Sequence, residues 1–97
     1  MEKRTNKYRI TLEQLEIANG SAINTEPLTL NIENHDELFN IIERVKQKGI
    51  FEDQQQAAEF AIGLKMFSET MLRNRKHPLF EEFSKPFRLF MEQLKSY

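Results

Sequence analysis

Two short segments in which apolar and polar residues alternate limit the possible folds of this chain more than any other feature of its sequence. A period of two residues is typical of a strand with one buried face. A polar stretch that contains the turn signal Asn19-Gly20-Ser21 separates the segments, so we predict an antiparallel β-hairpin with a long loop. The alternating apolar residues are Tyr8, Ile10 and Leu12 in the first segment and Leu28, Leu30 and Ile32 in the second.

The residues after the second segment follow a helical period. Asn34 and Asp36 are candidate N-caps, because a short polar side chain can accept hydrogen bonds from the free amides of a first helical turn. Gly49 can adopt the left-handed conformation that ends a helix. We therefore predict a helix between these signals. Its buried face consists of Leu38, Ile41, Ile42 and Val45.

Two further helices are predicted towards the C-terminus. Asp53 is a suitable cap for a long helix that runs to about Asn74. Pro86 fits the first turn of a final helix, with Ser84 as its cap. The apolar faces consist of Ala57, Phe60, Ala61, Leu64, Phe67, Met71 and Leu72 in the long helix and of Phe87, Phe90, Met91 and Leu94 in the final one.

The predicted fold class is therefore α+β, with the order β-β-α-α-α. A two-stranded sheet is marginally stable unless one face is covered, so we expect the three helices to pack on one face of the hairpin. The length suits a single domain over residues 1–97, in which residues 1–7 are expected to form a flexible N-terminus. The outer edges of the two strands stay open in this arrangement.

The composition argues against several classes of protein. The chain contains no cysteine, which removes thiolate catalysis, zinc-ribbon sites and disulfides and is compatible with a reducing compartment. Its apolar runs are far shorter than the roughly 20 residues that span a bilayer, and no signal peptide is recognisable. We therefore expect a cytoplasmic protein that does not enter a membrane.

The formal net charge of −1 conceals an uneven distribution. Residues 1–9 sum to +3, residues 10–60 to −7 and residues 61–97 to +3. A dedicated nucleic-acid-binding protein usually carries a clear excess of basic residues, so nucleic acid is a disfavoured partner. The opposite charges can pair within the fold, or they can present an acidic and a basic face to another copy of the chain.

The two histidines, His35 and His77, are the candidates for a general base or a metal ligand near neutral pH. His35 precedes Asp36 and Glu37, but adjacent residues rarely converge on one ion. A capping turn between strand and helix explains this segment better. We predict no metal site and no cofactor.

The densest basic cluster comprises Arg73, Arg75, Lys76 and His77. These side chains are candidates for contact with an anion such as phosphate. They also lie where the long helix is predicted to end, and cations near a helix C-terminus interact favourably with its dipole. We favour this structural explanation, and the cluster remains a candidate anion-binding site.

Other patterns that can mark an enzyme have simpler explanations. Nothing in the sequence would bury one member of the carboxylate pairs Glu52-Asp53 and Glu81-Glu82, as acid–base chemistry requires. The glycines are too scattered for a phosphate-binding loop, and no serine lies in a nucleophile-elbow motif. The C-terminal phenylalanines have helical spacing and are predicted to lie in the core. We predict no catalytic residue and favour a protein that is not an enzyme.

Two apolar features exceed what a single buried helix face requires. Ala58, Ile62 and Met66 form a second stripe on the long helix, and Leu89 points away from the apolar face of the final helix. A helix that is apolar on two sides lies between other elements or contacts another chain. For the stripe we favour a position between other elements, and all four residues are candidate interface positions.

Five segments carry a resemblance that spans nearly the whole chain: YRITLE at 8–13, NHDELF at 34–39, IIE at 41–43, AIGLK at 61–65 and RKHPLF at 75–80. Together they resemble the bacterial family known as domain of unknown function 3861. The resemblance implies a bacterial source and a compact α+β fold. It implies no activity, cofactor or catalytic residue.

Three functional hypotheses follow from the sequence. The favoured one is a non-enzymatic protein-interaction module, with a second copy of the chain or another protein as its partner. The second is a weak nucleic-acid-associated protein that uses the basic residues of 3–9 and the cluster at 73–77. The third is a small ligand-binding protein or enzyme with His35 or His77 at its site, although the sequence specifies no small molecule.

Overall fold

A computed structural model describes residues 4–97, and it contains two strands followed by helices. This confirms the predicted α+β class and the order of strands before helices. The chain divides into two compact units, a hairpin unit that ends at His35 and a helical unit from Asp36 to Tyr97. The elements are β1 (Asn6–Leu12), β2 (Leu28–Asn34), α1 (Leu38–Gln47), α2 (Gln54–Arg73), α3 (Pro78–Glu81) and α4 (Ser84–Lys95).

The first strand begins earlier than expected. Residues 6 and 7 lie in β1, although we expected the segment 1–7 to be flexible, and residues 1–3 of that segment lie outside the described part of the chain. The side-chain amide of Asn6 donates hydrogen bonds of 3.4 Å to the main-chain oxygens of Asn34 and His35. These bonds tie the start of β1 to the end of β2.

The hairpin has an antiparallel register in which apolar residues lie opposite apolar residues. Because alternate side chains of a strand point to the same face, the six alternating residues share one face of the sheet. Residues 13–27 connect the strands without a helix or strand of their own, and Gly20 in their turn has a φ of +81°. The apolar pairs are Tyr8–Ile32, Ile10–Leu30 and Leu12–Leu28.

Glu37, and not Asn34 or Asp36, caps the first helix. Its carboxylate accepts hydrogen bonds of 3.1 Å from two main-chain amides of the first turn of α1. Asn34 belongs to β2, and the carboxylate of Asp36 forms an ion pair with Lys65 of α2. The predicted caps were therefore wrong, because the strand continues through one of them and a tertiary ion pair engages the other.

The other predicted signals of α1 and α2 are confirmed. Gly49 follows α1 with a φ of +72°, the left-handed conformation that ends the helix. Asp53 caps α2, since its Oδ1 accepts a hydrogen bond of 2.9 Å from the amide of Gln55. The long helix ends at Arg73, one residue before the predicted boundary.

A single helical turn that we did not predict precedes the final helix. Pro78 occupies the first turn of α3, and Nδ1 of His77 accepts a hydrogen bond of 3.1 Å from the amide of Leu79. This short element lies between the long helix and the final one, where the sequence analysis assigned no helix.

The predicted cap of the final helix, Ser84, is wrong. Ser84 already lies in α4, and its hydroxyl donates a hydrogen bond of 2.8 Å to the main-chain oxygen of Glu81. The cap position is held by Phe83, whose own conformation is helical, with φ −80° and ψ −18°. The turn from α3 thus continues almost directly into α4, and the amide of Phe87 donates a hydrogen bond of 2.9 Å to the main-chain oxygen of Phe83.

Small residues form the core of the helical unit. Val45 of α1 packs with Ala57 and Ala61 of α2, and these three side chains are 3%, 0% and 1% exposed. Alanines at the contact allow two helix backbones to approach closely. Four partly buried apolar residues surround this cluster, Ile41, Ile42, Phe51 and Phe60.

Aromatic rings join α4 to α2. The ring of Phe60 lies 6.4 Å from that of Phe90, and the ring of Phe67 lies 5.9 Å from that of Phe87. Since the later residue of α2 meets the earlier residue of α4, the two helices run antiparallel. Edge-to-face contacts at these distances add to the free energy gained from burial alone.

Two glycine-to-alanine substitutions should change stability in opposite directions. Gly49→Ala is expected to destabilise the protein by about 1 kcal/mol, because residues with a side chain rarely adopt its positive φ. Gly63→Ala lies within α2, where an added Cβ meets no atom within 4 Å, so it should stabilise by up to about 1 kcal/mol. Chemical denaturation followed by circular dichroism measures both changes. Equal losses of stability in the two variants would contradict this account, in which Gly49 ends α1 and Gly63 lies within α2.

Candidate interaction surfaces

The four candidate interface residues differ in exposure. Ala58, Ile62 and Met66 on α2 are half-buried, whereas Leu89 on α4 is 54% exposed. Leu94, on the inner face of the same helix, is 9% exposed. Leu89 therefore points away from the apolar face of α4 as its spacing indicates, and of the four it is the residue most accessible to a partner.

The basic cluster lies at the junction of α2 and α3, and two of its members have structural partners. Nη2 of Arg73 lies 3.7 Å from Oε1 of Glu69, a residue that is only 7% exposed. His77 caps α3 through Nδ1. Arg75 and Lys76 are exposed in the turn between the helices. An anion at this junction would therefore meet Arg75 and Lys76 first.

His35 lies at the exposed end of the hairpin unit, directly after β2. Its main-chain oxygen accepts a hydrogen bond from the side chain of Asn6. Between residues 4 and 97, the structure contains no group of three His, Cys, Asp or Glu side chains arranged to hold a metal ion.

An apolar patch at the loop end of the hairpin was missed by the sequence analysis. We call it the hairpin patch and define it as Leu12, Leu28 and Leu30, which share one face of the sheet and are 66%, 53% and 40% exposed. Leu15, in the loop that follows β1, is 81% exposed. Alternation correctly assigned these leucines to a common face, but it cannot show how much of that face is covered.

A second apolar patch lies on the helical unit. We call it the aromatic patch and define it as Phe67 and Phe83, which are 42% and 43% exposed. The rings of Phe67 and Phe83 are 5.9 Å apart. The prediction that the C-terminal phenylalanines lie in the core is therefore only partly right, because Phe83 and Phe90 keep more than a third of their surface exposed.

An open apolar pocket of about 300 Å³ lies beside the end of α4. Phe51, Phe60 and Phe90 supply aromatic walls, and Tyr97 closes one side. Neither histidine lines this pocket. Its size is at the lower end of the range typical of small-molecule sites.

None of the helices in residues 4–97 combines the length and apolar content that a bilayer crossing requires.

Two leucines of α4 provide a matched test of the observed burial. Leu94→Ala should destabilise the helical unit by about 2 to 3 kcal/mol, because it removes a buried side chain. Leu89→Ala should change the free energy of unfolding by less than about 0.5 kcal/mol, since its side chain is mostly exposed. Urea denaturation at low protein concentration measures both variants. A loss at Leu89 as large as that at Leu94 would show that α4 is rotated from its observed orientation.

Comparison with known proteins agrees with the fold. Residues 6–96 match DUF3861, a domain of unknown function with a solved structure. A crystal structure of a protein of unknown function from Pectobacterium atrosepticum has 40% sequence identity to this chain, with a TM-score of 0.83 over 97% of this chain and 100% of that one. No curated protein matches. The match over nearly the full length shows that the chain belongs to the DUF3861 family.

Proposed function

We propose that the protein is a non-enzymatic interaction module whose partner is a second copy of the same chain. The observation that carries the proposal is the hairpin patch. Leu12 and Leu28 lie directly opposite each other in the register, where apolar pairs stabilise a sheet by excluding water, and yet both are more than half exposed. A two-stranded sheet is only marginally stable, so covering this patch gives association a physical driving force.

The balance of buried and exposed apolar residues supports the same proposal. Among residues 4–97, fourteen large apolar side chains are exposed, whereas six apolar residues are buried. Single exposed apolar residues are normal on a protein surface, but contiguous patches commonly mark sites of association. The hairpin patch and the aromatic patch are both contiguous in this sense.

The size of the hairpin patch sets the expected strength of association. With Leu15 included, it exposes roughly 400 Å² per copy, so two copies would bury about 800 Å² from this patch alone. Stable complexes usually bury at least about 1,200 Å² in total. The proposed association is therefore weak and reversible.

The charge distribution supports a second copy as the partner. The first nine residues carry +3, whereas residues 10–60 carry −7. Such a chain can align basic segments of one copy with acidic segments of another, which steers encounter and selects the partner.

The absence of cysteine supports the cytoplasm as the place where self-association occurs, because association there does not depend on disulfides.

A small apolar ligand is the second candidate function, and the pocket beside α4 is the observation that favours it. The pocket walls are aromatic, and Arg44 and Lys48 lie around an adjoining depression that shares Tyr97 with the pocket. An apolar molecule with an anionic group fits this combination. Thermal-shift screening with aromatic and short aliphatic carboxylates tests it, with Phe90→Ala as the variant that should lose any shift.

Light scattering coupled to size-exclusion chromatography tests the proposed self-association. Between about 1 µM and about 1 mM, the mass should rise from 11.6 kDa towards twice that value. Replacing both Leu12 and Leu28 with serine should shift this rise to at least about tenfold higher concentration, because it removes the apolar driving force.

The matched control replaces Leu72 and Leu79 with serine. Both leucines are exposed to a similar degree as the pair in the hairpin patch, but they lie in the helical unit. The control should associate like the wild type. A wild-type mass that stays at 11.6 kDa over the whole range would refute the proposal.

A further inference from the structure

The outer edge of β1 is complementary to itself. Suppose that two copies of β1 run antiparallel with Ile10 opposite Ile10. Each residue then lies opposite the residue of the second copy for which the two residue numbers add up to 20. Lys7 then lies opposite Glu13, the residue that directly follows β1 in the second copy, and Tyr8 lies opposite Leu12. Opposite charges and apolar pairs at directly opposed positions each stabilise a sheet.

From this pattern we infer that β1 pairs with β1 of a second copy around a twofold axis at Ile10. The product is a four-stranded antiparallel sheet in the order β2-β1-β1-β2. The inference rests on the proposed self-association and adds a main-chain contact to it, which places Leu12 beside the partner and leaves Leu28 and Leu30 on the outer strand. A twofold axis makes each favourable contact occur twice, so the two copies share two Lys7–Glu13 pairs and two Tyr8–Leu12 pairs.

Competing registers on the same edge are less favourable. A shift by one residue would place the apolar face of one hairpin beside the polar face of the other. An axis at Arg9 would place two arginines opposite each other. An axis at Thr11 would place Arg9 opposite Glu13 and Ile10 opposite Leu12, but it would also place Lys7 opposite Leu15 and Tyr8 opposite Gln14. Of these axes, the one at Ile10 forms charge pairs and apolar pairs over residues 6–14 without placing an apolar residue opposite a polar or charged one.

The outer edge of β2 lacks this complementarity. Glu33 is the only charged residue of β2, and Glu26 is the charged residue before it. No antiparallel pairing of β2 with itself can therefore bring a positive charge opposite a negative one. The pattern of charge thus selects β1 as the paired edge and leaves β2 at the edge of the larger sheet.

The observed hairpin is compatible with this pairing. Lys7, Arg9 and Thr11 are exposed, and the sheet places β2 beside β1 on one side. Nε of Arg9 donates a hydrogen bond of 3.2 Å to Oδ1 of Asn31 across the hairpin. This bond can persist in the dimer, because the register places Arg9 opposite the neutral Thr11. Leu12, the most exposed residue of the hairpin patch, gains the ring of Tyr8 as a neighbour.

Charge reversal tests the register. Lys7→Glu and Glu13→Lys should each weaken self-association by about tenfold, because either change places like charges opposite each other twice. An equimolar mixture of the two variants should form a heterodimer of near wild-type affinity, since both of its charge pairs are again opposite in sign. The double variant Lys7→Glu/Glu13→Lys should associate more tightly than Lys7→Glu alone, but less tightly than the wild type, because it still loses the Lys7–Glu33 pair within each hairpin. Analytical ultracentrifugation measures all four samples.

Charge reversals on α4 serve as the control. Lys85→Glu and Glu92→Lys change the net charge by the same amounts at exposed positions of the helical unit. They should leave self-association unchanged. Equal weakening by these variants would attribute the effect to net charge and would overturn the inferred register.

Disulfide trapping provides a second, independent measurement. The chain has no cysteine, so a single Ile10→Cys substitution gives an unambiguous crosslink. Directly opposed residues of an antiparallel pair have Cα atoms about 4.5 to 5.5 Å apart, within the range that a disulfide requires. Mild oxidation should therefore produce a covalent dimer, whereas Thr29→Cys on β2 should not.

The outcomes separate the register from the proposed function. A wild-type dimer that neither responds to charge reversal nor crosslinks at Ile10→Cys overturns the β1 pairing and leaves self-association through another surface. A wild-type chain that stays monomeric overturns both. Heterodimer formation by the mixed variants together with the Ile10→Cys crosslink supports the register.

Discussion

The contact of α1 with the alanine face of α2 is the interaction on which the helical unit depends. Ala57 and Ala61 are almost completely buried, and their small side chains let Val45 of α1 approach the backbone of α2. The same close contact buries little apolar area, because alanine contributes few atoms. The aromatic rings that join α2 to α4 supply the remaining packing, but several of them line a surface instead of a closed core.

The small area of buried apolar surface limits the stability of the fold and leaves apolar surface exposed. A chain of 97 residues has a high ratio of surface to volume, so folding leaves only a small excess of favourable free energy. The hairpin unit adds two strands whose apolar face is exposed towards the loop end. If a second copy covers such a surface, folding and association become linked, and stability rises with protein concentration.

Local signals predicted much of the fold correctly, and each error has a physical cause in the structure. Asp53 and Gly49 act where the sequence indicated, because a cap and a left-handed turn depend on a few neighbouring residues. Asp36 was a reasonable cap by the same criteria, yet it pairs with Lys65, almost thirty residues away. At Ser84, the helical turn that precedes α4 removed the need for a side-chain cap. At Asp36 a contact outside the local window changed the outcome, whereas at Ser84 a neighbouring helical turn did.

The sequence by itself determined the element types, the apolar faces and the charge pattern of β1, since each depends on the order of residues along one segment. It could identify Leu89 as an outlier and 73–77 as a helix end for the same reason. Only the tertiary structure decided that Leu12 and Leu28 are exposed while Ala57 and Ala61 are buried. Periodicity shows which residues share a face, whereas burial depends on what lies against that face, and distant parts of the chain or another copy supply it.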